Sequence, residues 1–440
     1  IRSVSADSPG DLGRHPGAPV LWLTGDLDPA AHAGHLAGLL DLVRALADAP
    51  RPLRIVTEGG TGEAVLPAMA LALGRAVAIE HADLQCRRID LVPGQPDPGS
   101  ALAAELRLDD GEELVRHGPA DREVARVVPL PVVAKRFAVR PDAAYLVTGA
   151  VAGWLVERGA RELVLVGRTV RELPEAAGWR AGGVRVRSEA ADVSDVVAIA
   201  AILRALDADG VPLAGVFHCA GVTADTLLAN AGAAEVERVL QAKTGGALAL
   251  DRATRGRALD AFVLFTSITA LCGADLAAQW AQHGIAPFEA ATGLAALEAL
   301  LAADETEAVA GRVDWERLAR WCRQEGSGAS LYERVTSVAP ASQPIVERRG
   351  SWTSSELAEV VRAAVAEVVD RPVDDPMLDR SFGDLGLGSL AAVELRNRLS
   401  GQLGVPIPAT LAFNHPSIAT VVRFLAGRVT VAADPASSAA

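Results

Sequence analysis

Two positions in the sequence combine a residue type with a setting in which it could do chemistry. Ser389 follows the loop LGLG (385–388) and begins a run whose apolar residues recur at helical spacing, so its hydroxyl is expected at a helix N-terminus. A serine there is far more often a helix cap than a site of covalent modification. Gly149 ends the apolar run YLVTG (145–149). A glycine turn between a strand and a helix is where a backbone can approach a phosphate.

The composition excludes several classes of function. The 440 residues suggest about three domains, and 42 Lys+Arg against 55 Asp+Glu give a net charge of −13. Charge of that sign repels nucleic acid and anionic membrane surfaces, so neither is an expected partner. The four cysteines are scattered, which predicts a cytoplasmic protein without a disulfide framework or a zinc site. The opening IRSVSADSPG has neither an initiator Met nor a signal-peptide core, which predicts a piece of a larger protein.

The elements that would position these residues fall into three segments. Residues 1–136 and 137–323 alternate short apolar runs with helical stretches, which predicts an α/β unit in the first segment and a parallel sheet covered on both faces in the second. Residues 324–354 are rich in Ser, Gly and Pro, which predicts a flexible linker. Residues 355–428 predict a small helical domain, and residues 429–440 a disordered tail.

Individual elements are predicted from the periodicity of apolar residues. The predicted strands are 20–25, 53–60, 145–150, 162–168, 214–221 and 261–267. The predicted helices are 35–49, 196–208, 287–303, 355–369, 389–404 and 417–428. In the helix that Ser389 begins, three charged residues are expected to face water: Glu394, Arg396 and Arg398.

The last helical segment resembles a known family. The runs DLGLGSLAAVELRNRLSGQLG (384–404) and LAFNHPSIATVVRFL (411–425) are similar to the acyl carrier protein of modular type I polyketide synthases, a four-helix bundle. The resemblance implies that Ser389 carries 4′-phosphopantetheine. The thiol of this flexible arm holds an acyl group as a thioester that several active sites can reach. Gly388 stands where the family usually has an acidic residue.

The second segment resembles the ketoreductase domain of the same synthases, which has the short-chain dehydrogenase fold. The runs that carry this resemblance are FAVRPDAAYLVTG (137–149), WLVERGARELVLVGR (154–168), VFHCAG (216–221), RVLQAKTGG (238–246) and FVLFTS (262–267). The first segment is similar to the structural half of that domain, especially at MALALGRAVAIEHADLQ (69–85). The resemblance implies two Rossmann-like subdomains with parallel sheets, followed by a four-helix-bundle carrier domain.

The sequence departs from this family where NADPH would bind. In the family, a glycine-rich turn such as TGGLGGLG and the long helix after it hold the pyrophosphate. Here Gly149 is followed by Ala-Val-Ala-Gly153 and then directly by WLVERGA. This connection is shorter than the family's by about seven residues, or two helical turns at ~1.5 Å per residue. Gly149, Gly153 and Arg168, which matches the residue that would meet the 2′-phosphate, are therefore expected to be remnants, and NADPH is not expected to bind.

The residues that would donate the proton also differ from those of the family. Ser267 matches the family serine, but Trp280 stands at the tyrosine position and Gly284 at the asparagine position. An indole N–H does not titrate in water and cannot replace the phenol as an acid. Lys243 matches the lysine that lowers the pKa of the missing tyrosine. No catalytic residue and no metal site are therefore expected in this segment.

Together the resemblances imply the C-terminal part of a polyketide synthase module of antibiotic biosynthesis, in which a pseudoenzyme precedes a working carrier. The expected partners are ketosynthase and acyltransferase domains of the same synthase, a phosphopantetheinyl transferase and acyl thioester intermediates. Two alternatives remain open. One is an active NADPH-dependent ketoreductase or epimerase that takes its proton from His283 or Ser267. The other is a docking platform for partners acting in trans.

Overall fold

A computed structural model of the chain describes most of its residues. The described residues are 18–25, 27–48, 50–62, 64–131, 137–149, 151–169, 173–222, 228, 230–267, 283–303, 305–324, 328–336, 352–374, 377–387, 389–405, 407, 411–427 and 429. The predicted tail from 430 onward, most of the predicted linker and Trp280 lie outside them.

The first subdomain is a sheet with helices against it. Its described elements are β1 (Val20–Thr24), α1 (His32–Asp48), β2 (Leu53–Glu58), α2 (Val65–Glu80), β3 (Arg87–Leu91), α3 (Pro98–Glu105), β4 (Leu114–His117) and β5 (Arg122–Val124). The strand order is β1-β2-β3-β4-β5, and all neighbours are parallel except β4 and β5. Leucines of α1 that recur at three-to-four spacing, Leu36, Leu39 and Leu40, are buried against this sheet.

The second subdomain contains a parallel sheet with the order β10-β9-β6-β7-β8. Its described elements are β6 (Ala144–Thr148), α4 (Ala152–Glu157), β7 (Glu162–Gly167), α5 (Ala176–Ala181), β8 (Arg185–Ala190), α6 (Val196–Ala208), β9 (Leu213–His218), α7 (Ala233–Leu240), α8 (Gly246–Thr254) and β10 (Ala261–Leu264). Every residue of β6 and β9 is buried, because both faces of the central strands are covered. The carboxyl ends of β6 and β9 meet at one edge, where ligands of such sheets bind.

The two subdomains pack through α1 and α7. Leu228 and Ala231, in the segment before α7, belong to the apolar core of the first subdomain. The Arg44 guanidinium on α1 donates to the carbonyl oxygens of both residues. The Leu228 N–H in turn donates to the Glu80 carboxylate at the end of α2, at 2.8 Å.

After β10 the described chain continues with β11 (Ile285–Ala286), α9 (Ala290–Ala303), β12 (Arg312–Val313), α10 (Trp315–Gln324) and a 3-10 turn (Ala329–Tyr332). Tyr332 is fully buried, beside Ile285, Leu318 and Cys322. The Val127 N–H donates to the Leu331 carbonyl at 2.7 Å, so this turn also contacts the first subdomain. The prediction of a flexible linker from residue 324 is therefore wrong for residues 328–336, because their apolar side chains pack into the preceding domain.

The carrier segment forms a helical domain with its own apolar core. Its described helices are α11 (Ser354–Val368), α12 (Ser389–Leu403), α13 (Leu411–Asn414) and α14 (Ile418–Ala426). Thr353 caps α11 by accepting from the Glu356 N–H at 3.1 Å, and Ser417 caps α14 in the same way. Buried residues from all four helices meet in one cluster, including Leu357, Leu399 and Val421. In the described parts of the chain, no helix is both long enough and apolar enough to cross a membrane.

Candidate functional site

The ends of β6 and β9 are joined by the side chain of Thr148. Its hydroxyl oxygen accepts hydrogen bonds from the backbone N–H of Cys219 at 3.2 Å and of Ala220 at 3.1 Å. The same oxygen lies 2.8 Å from Nδ1 of His218. Burial lowers the pKa of His218, while backbone groups of Lys243 and Ala242 act against that shift. The edge of the sheet is thus held by a buried threonine and a neutral imidazole near pH 7.

Gly149 occupies the turn that leaves β6. Its φ of +129° is a conformation that residues with a side chain rarely adopt. A Cβ at this position would lie 2.6 Å from the Cβ of Cys219. The described glycine is therefore required by the close approach of the two strand ends.

The helix after this turn is short. α4 begins four residues after the last residue of β6 and contains six residues. Trp154 in its first turn is 4% exposed and packs against Phe137 and Phe217, with ring centroids 6.5 and 6.2 Å away. A large aromatic side chain therefore anchors the start of the helix to the sheet.

The remaining residues predicted for this site are spread around the edge of the sheet. The Lys243 side chain lies against Gly221, where an added Cβ would be 3.0 Å from the lysine Cε. Ser267 follows β10 and is exposed. Arg168 is exposed beyond the end of β7 and contributes to the low pKa of Asp192, whose main cause is a hydrogen bond from Ser194.

Two further positions bear on proton transfer. Gly284 has a φ of +89°, and a Cβ there would lie 2.8 Å from the backbone oxygen of Asp314. An asparagine would not fit this turn, so the glycine has a structural reason of its own. His283 is 6% exposed and stacks on Trp321 at 4.4 Å, and burial lowers its pKa. The prediction that Trp280 stands at the tyrosine position and cannot donate the proton concerns a residue outside the described part of the chain.

Ser389 is the first residue of α12, as the pattern of the sequence predicts. The loop before it is anchored by Leu385 and Leu387, which are buried in the carrier core, while Gly388 lies outside the described residues. Arg398 on the same helix pairs with Glu394 at 2.7 Å and with Glu367 of α11 at 2.5 Å. The prediction that Arg396 faces water is wrong: the residue is 1% exposed because its side chain contacts the first subdomain.

The fold and the two sites together define a class of protein: a domain with the short-chain dehydrogenase fold, followed by a helical carrier domain. Family comparison agrees with this description. The KR domain family matches residues 143–297, and the family described as phosphopantetheine attachment site matches residues 359–425. The chain therefore carries the ketoreductase domain and the carrier domain of polyketide synthases, and the prediction made from the two groups of motifs is confirmed.

Relatives with known names are multidomain polyketide synthases. Polyketide synthase GfsB of Streptomyces halstedii is 30% identical over 97% of this chain, which covers 9% of that protein. The pikromycin polyketide synthase component PikAIII of Streptomyces venezuelae is 30% identical over 90% of this chain and 31% of its own length. Erythronolide synthase EryA3 of Saccharopolyspora erythraea is 32% identical over 90% of this chain and 15% of its own length. The chain thus spans less than a third of each of these relatives.

Solved structures support the fold of the first two subdomains. A-type ketoreductases from a modular polyketide synthase superimpose with a TM-score of 0.60 and 29% identity, over 68% of this chain and 77% of theirs. The ketoreductase from the first module of phoslactomycin biosynthesis in Streptomyces sp. HK803 gives a TM-score of 0.61 and 25% identity, over 73% of this chain and 88% of its own. The predicted α/β fold with Rossmann-like subdomains is confirmed.

Proposed function

We propose that this chain is the C-terminal part of a cytoplasmic polyketide synthase module in antibiotic biosynthesis. Its carrier domain holds the growing acyl chain as a thioester on 4′-phosphopantetheine attached to Ser389. Its ketoreductase domain holds the module geometry and leaves the β-keto group unreduced. The chain works with ketosynthase and acyltransferase domains of the same synthase and is loaded by a phosphopantetheinyl transferase.

The main support for an inactive reductase is the short connection between β6 and α4. A dinucleotide needs backbone N–H groups that converge on its pyrophosphate and a helix N-terminus that supplies positive potential. Of the two described glycines here, Gly149 is committed to the contact with Cys219 and Gly153 lies within α4. The helix behind it has six residues and is anchored by Trp154. These residues do not fit NADPH.

The second support is the residue at the position of the family's proton donor. The family proton donor is a tyrosine, and the sequence has Trp280 at that position. Burial lowers the pKa of His283, whose ring stacks on Trp321, so the imidazolium form that could act as an acid is disfavoured near neutral pH. Lys243 lies beside Gly221, and Ser267 follows β10 at the same end of the sheet.

A fluorescence titration of the full chain with NADPH tests the reductase half of the proposal. We expect no saturable change through the micromolar range, with an active ketoreductase of the same family as the positive control. Micromolar binding that weakens in Arg168→Glu would support the alternative of an active reductase or epimerase and would overturn the proposal.

Intact-mass analysis tests the carrier half. The full chain is incubated with coenzyme A and a phosphopantetheinyl transferase, and we expect one added phosphopantetheine. Ser389→Ala abolishes the mass gain, whereas Ser400→Ala on the same helix, a serine bonded to the Val405 carbonyl at 2.7 Å, keeps it. A mass gain that survives Ser389→Ala would show that the arm is attached elsewhere.

A further inference from the structure

Arg396 connects the carrier domain to the structural subdomain. It is the largest fully buried side chain among the described residues, although it lies on a helix of a small domain. Its guanidinium donates a hydrogen bond to the backbone oxygen of Glu80, the last residue of α2, and lies 3.7 Å from the Asp83 carboxylate. The C-terminus of a helix carries partial negative charge and Asp83 carries a carboxylate, so both contacts stabilise a cation.

The surface that receives Arg396 consists of residues 80–83. The Asp83 side chain is 6% exposed and His81 is 1% exposed. Burial, with a smaller effect of Arg396, lowers the pKa of His81 to about 3, so its imidazole is neutral and does not repel the guanidinium. Asp83 thus offers a carboxylate to the carrier, and the charge of Arg396 also acts on the Glu80 carboxylate, whose pKa burial raises.

The same carrier helix also faces the second subdomain. The charges of Glu394 and Arg398 both act on the pKa of His283, whose main shift comes from burial. α12 is therefore close enough to His283, just before β11, for these two charges to act on its pKa.

Among the described residues, no apolar cluster joins the carrier domain to residues 80–83. The apolar cluster of the carrier domain contains only residues of segment 352–429, and the cluster beside residues 80–83 contains none from the carrier. Interfaces of this kind resemble transient protein–protein contacts, which open and close readily. The contacts of Arg396 with the Glu80 backbone oxygen and the Asp83 carboxylate therefore dominate the stability of the docked arrangement.

The position of Ser389 gives this contact a consequence for function. Residues 389 and 396 are seven positions apart on α12. At 3.6 residues per turn they lie about two turns and ~10 Å apart along the same side of the helix. The helix side that carries the attachment position is therefore the side turned toward the structural subdomain.

We propose that residues 80–83 are a docking site for the carrier domain, that Arg396 is its anchor, and that docking controls access to position 389. The consequence for access rests on the proposed attachment at Ser389. An enzyme that modifies or unloads the carrier must approach this side of α12, and it competes with residues 80–83 for it. Release of the anchor is then a step in every loading event.

Hydrogen exchange on the full chain tests the docking. Asp83→Asn removes the charge, and Asp83→Arg sets two guanidinium groups against each other while α12 itself is unchanged. We expect amides of residues 80–84 and of α12 to exchange about tenfold faster in Asp83→Arg, with a smaller effect in Asp83→Asn. Asp109→Arg, on an exposed loop of the same subdomain, makes the same change in net charge and leaves exchange unchanged. Unchanged exchange in both Asp83 variants would overturn the docking site.

The rate of loading by a phosphopantetheinyl transferase tests the control of access. We expect Asp83→Arg to raise the initial rate several-fold and Asp109→Arg to leave it at the wild-type value. High salt should narrow the difference in loading rate between Asp83→Arg and wild type, because it weakens the Arg396–Asp83 interaction in the wild type. Faster hydrogen exchange without faster loading would support the docking site but overturn the proposal that docking controls access to position 389. Absence of loading in every variant would instead overturn the proposed attachment at Ser389.

Discussion

Glu80 provides a quantitative test of the electrostatics at the junction of the subdomains. Its carboxylate accepts the Leu228 N–H at 2.8 Å. Burial raises its pKa from 4.5 to about 7, against the opposing effects of the Leu228 hydrogen bond and the Arg396 charge. The variant Glu80→Gln keeps a carbonyl oxygen that can accept from Leu228 and removes the charge.

The direction in which Glu80 makes stability depend on pH follows from proton binding. Between pH 4.5 and about 7 the folded protein holds a proton on Glu80 that the unfolded chain has released. Stability contributed by this residue therefore falls as pH rises through that window, and the full cost is present above it. A shift of this size corresponds to about 3 kcal/mol, at ~1.4 kcal/mol for each pKa unit.

Urea unfolding of the full chain, followed by tryptophan fluorescence at pH 5 and pH 8, measures the effect. We expect Glu80→Gln and wild type to unfold at similar urea concentrations at pH 5. At pH 8 the variant should be more stable, with a midpoint higher by about 1 M. Glu58→Gln, an exposed carboxylate at the end of β2, is the control and should show no such difference. A gain in stability of Glu80→Gln that is equal at both pH values, or a loss of stability that grows with pH, would refute this explanation.

Two further predictions concern the turn between β6 and α4. Trp154→Ala should lower the free energy of unfolding by about 3–5 kcal/mol because it empties a buried aromatic site, and Trp154→Phe should lower it less; thermal unfolding compares the two. Gly149→Ala should lower it by about 1–3 kcal/mol, since it combines a positive φ with a clash against Cys219. The double variant Gly149→Ala/Cys219→Gly should recover part of this loss, and no recovery would show that the strain lies in the backbone alone.

Local signals were sufficient for several elements. The helix predicted at 196–208 is α6, Val196–Ala208, because Asp195 caps it by accepting from the N–H groups of Val197 and Ala198. The all-apolar strands β6 and β9 were also predictable, since a strand covered on both faces carries few polar residues. In both cases the information lies within a few residues of the element.

The strand β3, with the sequence RRIDL, was not predicted, because its charged residues give no apolar signal. Arg87 is nevertheless buried, and it pairs with Asp110 at 2.7 Å and with Glu105. Asp90 is fully buried, and its carboxylate accepts from the hydroxyl of Thr57 at 2.6 Å and from the Gly60 N–H at 2.7 Å. These partners are distant in sequence, so only the folded chain shows that the charges can be buried.

The two kinds of domain, their order along the chain and the start of a helix at Ser389 are all predictable from the sequence, because they follow from apolar periodicity and short motifs. The burial of Arg396 and its contact with residues 80–83 become visible only in the folded chain. The physical reason is that exposure depends on what packs against a residue. An arginine on an amphipathic helix has the same sequence signature whether its partner is water or the end of another helix.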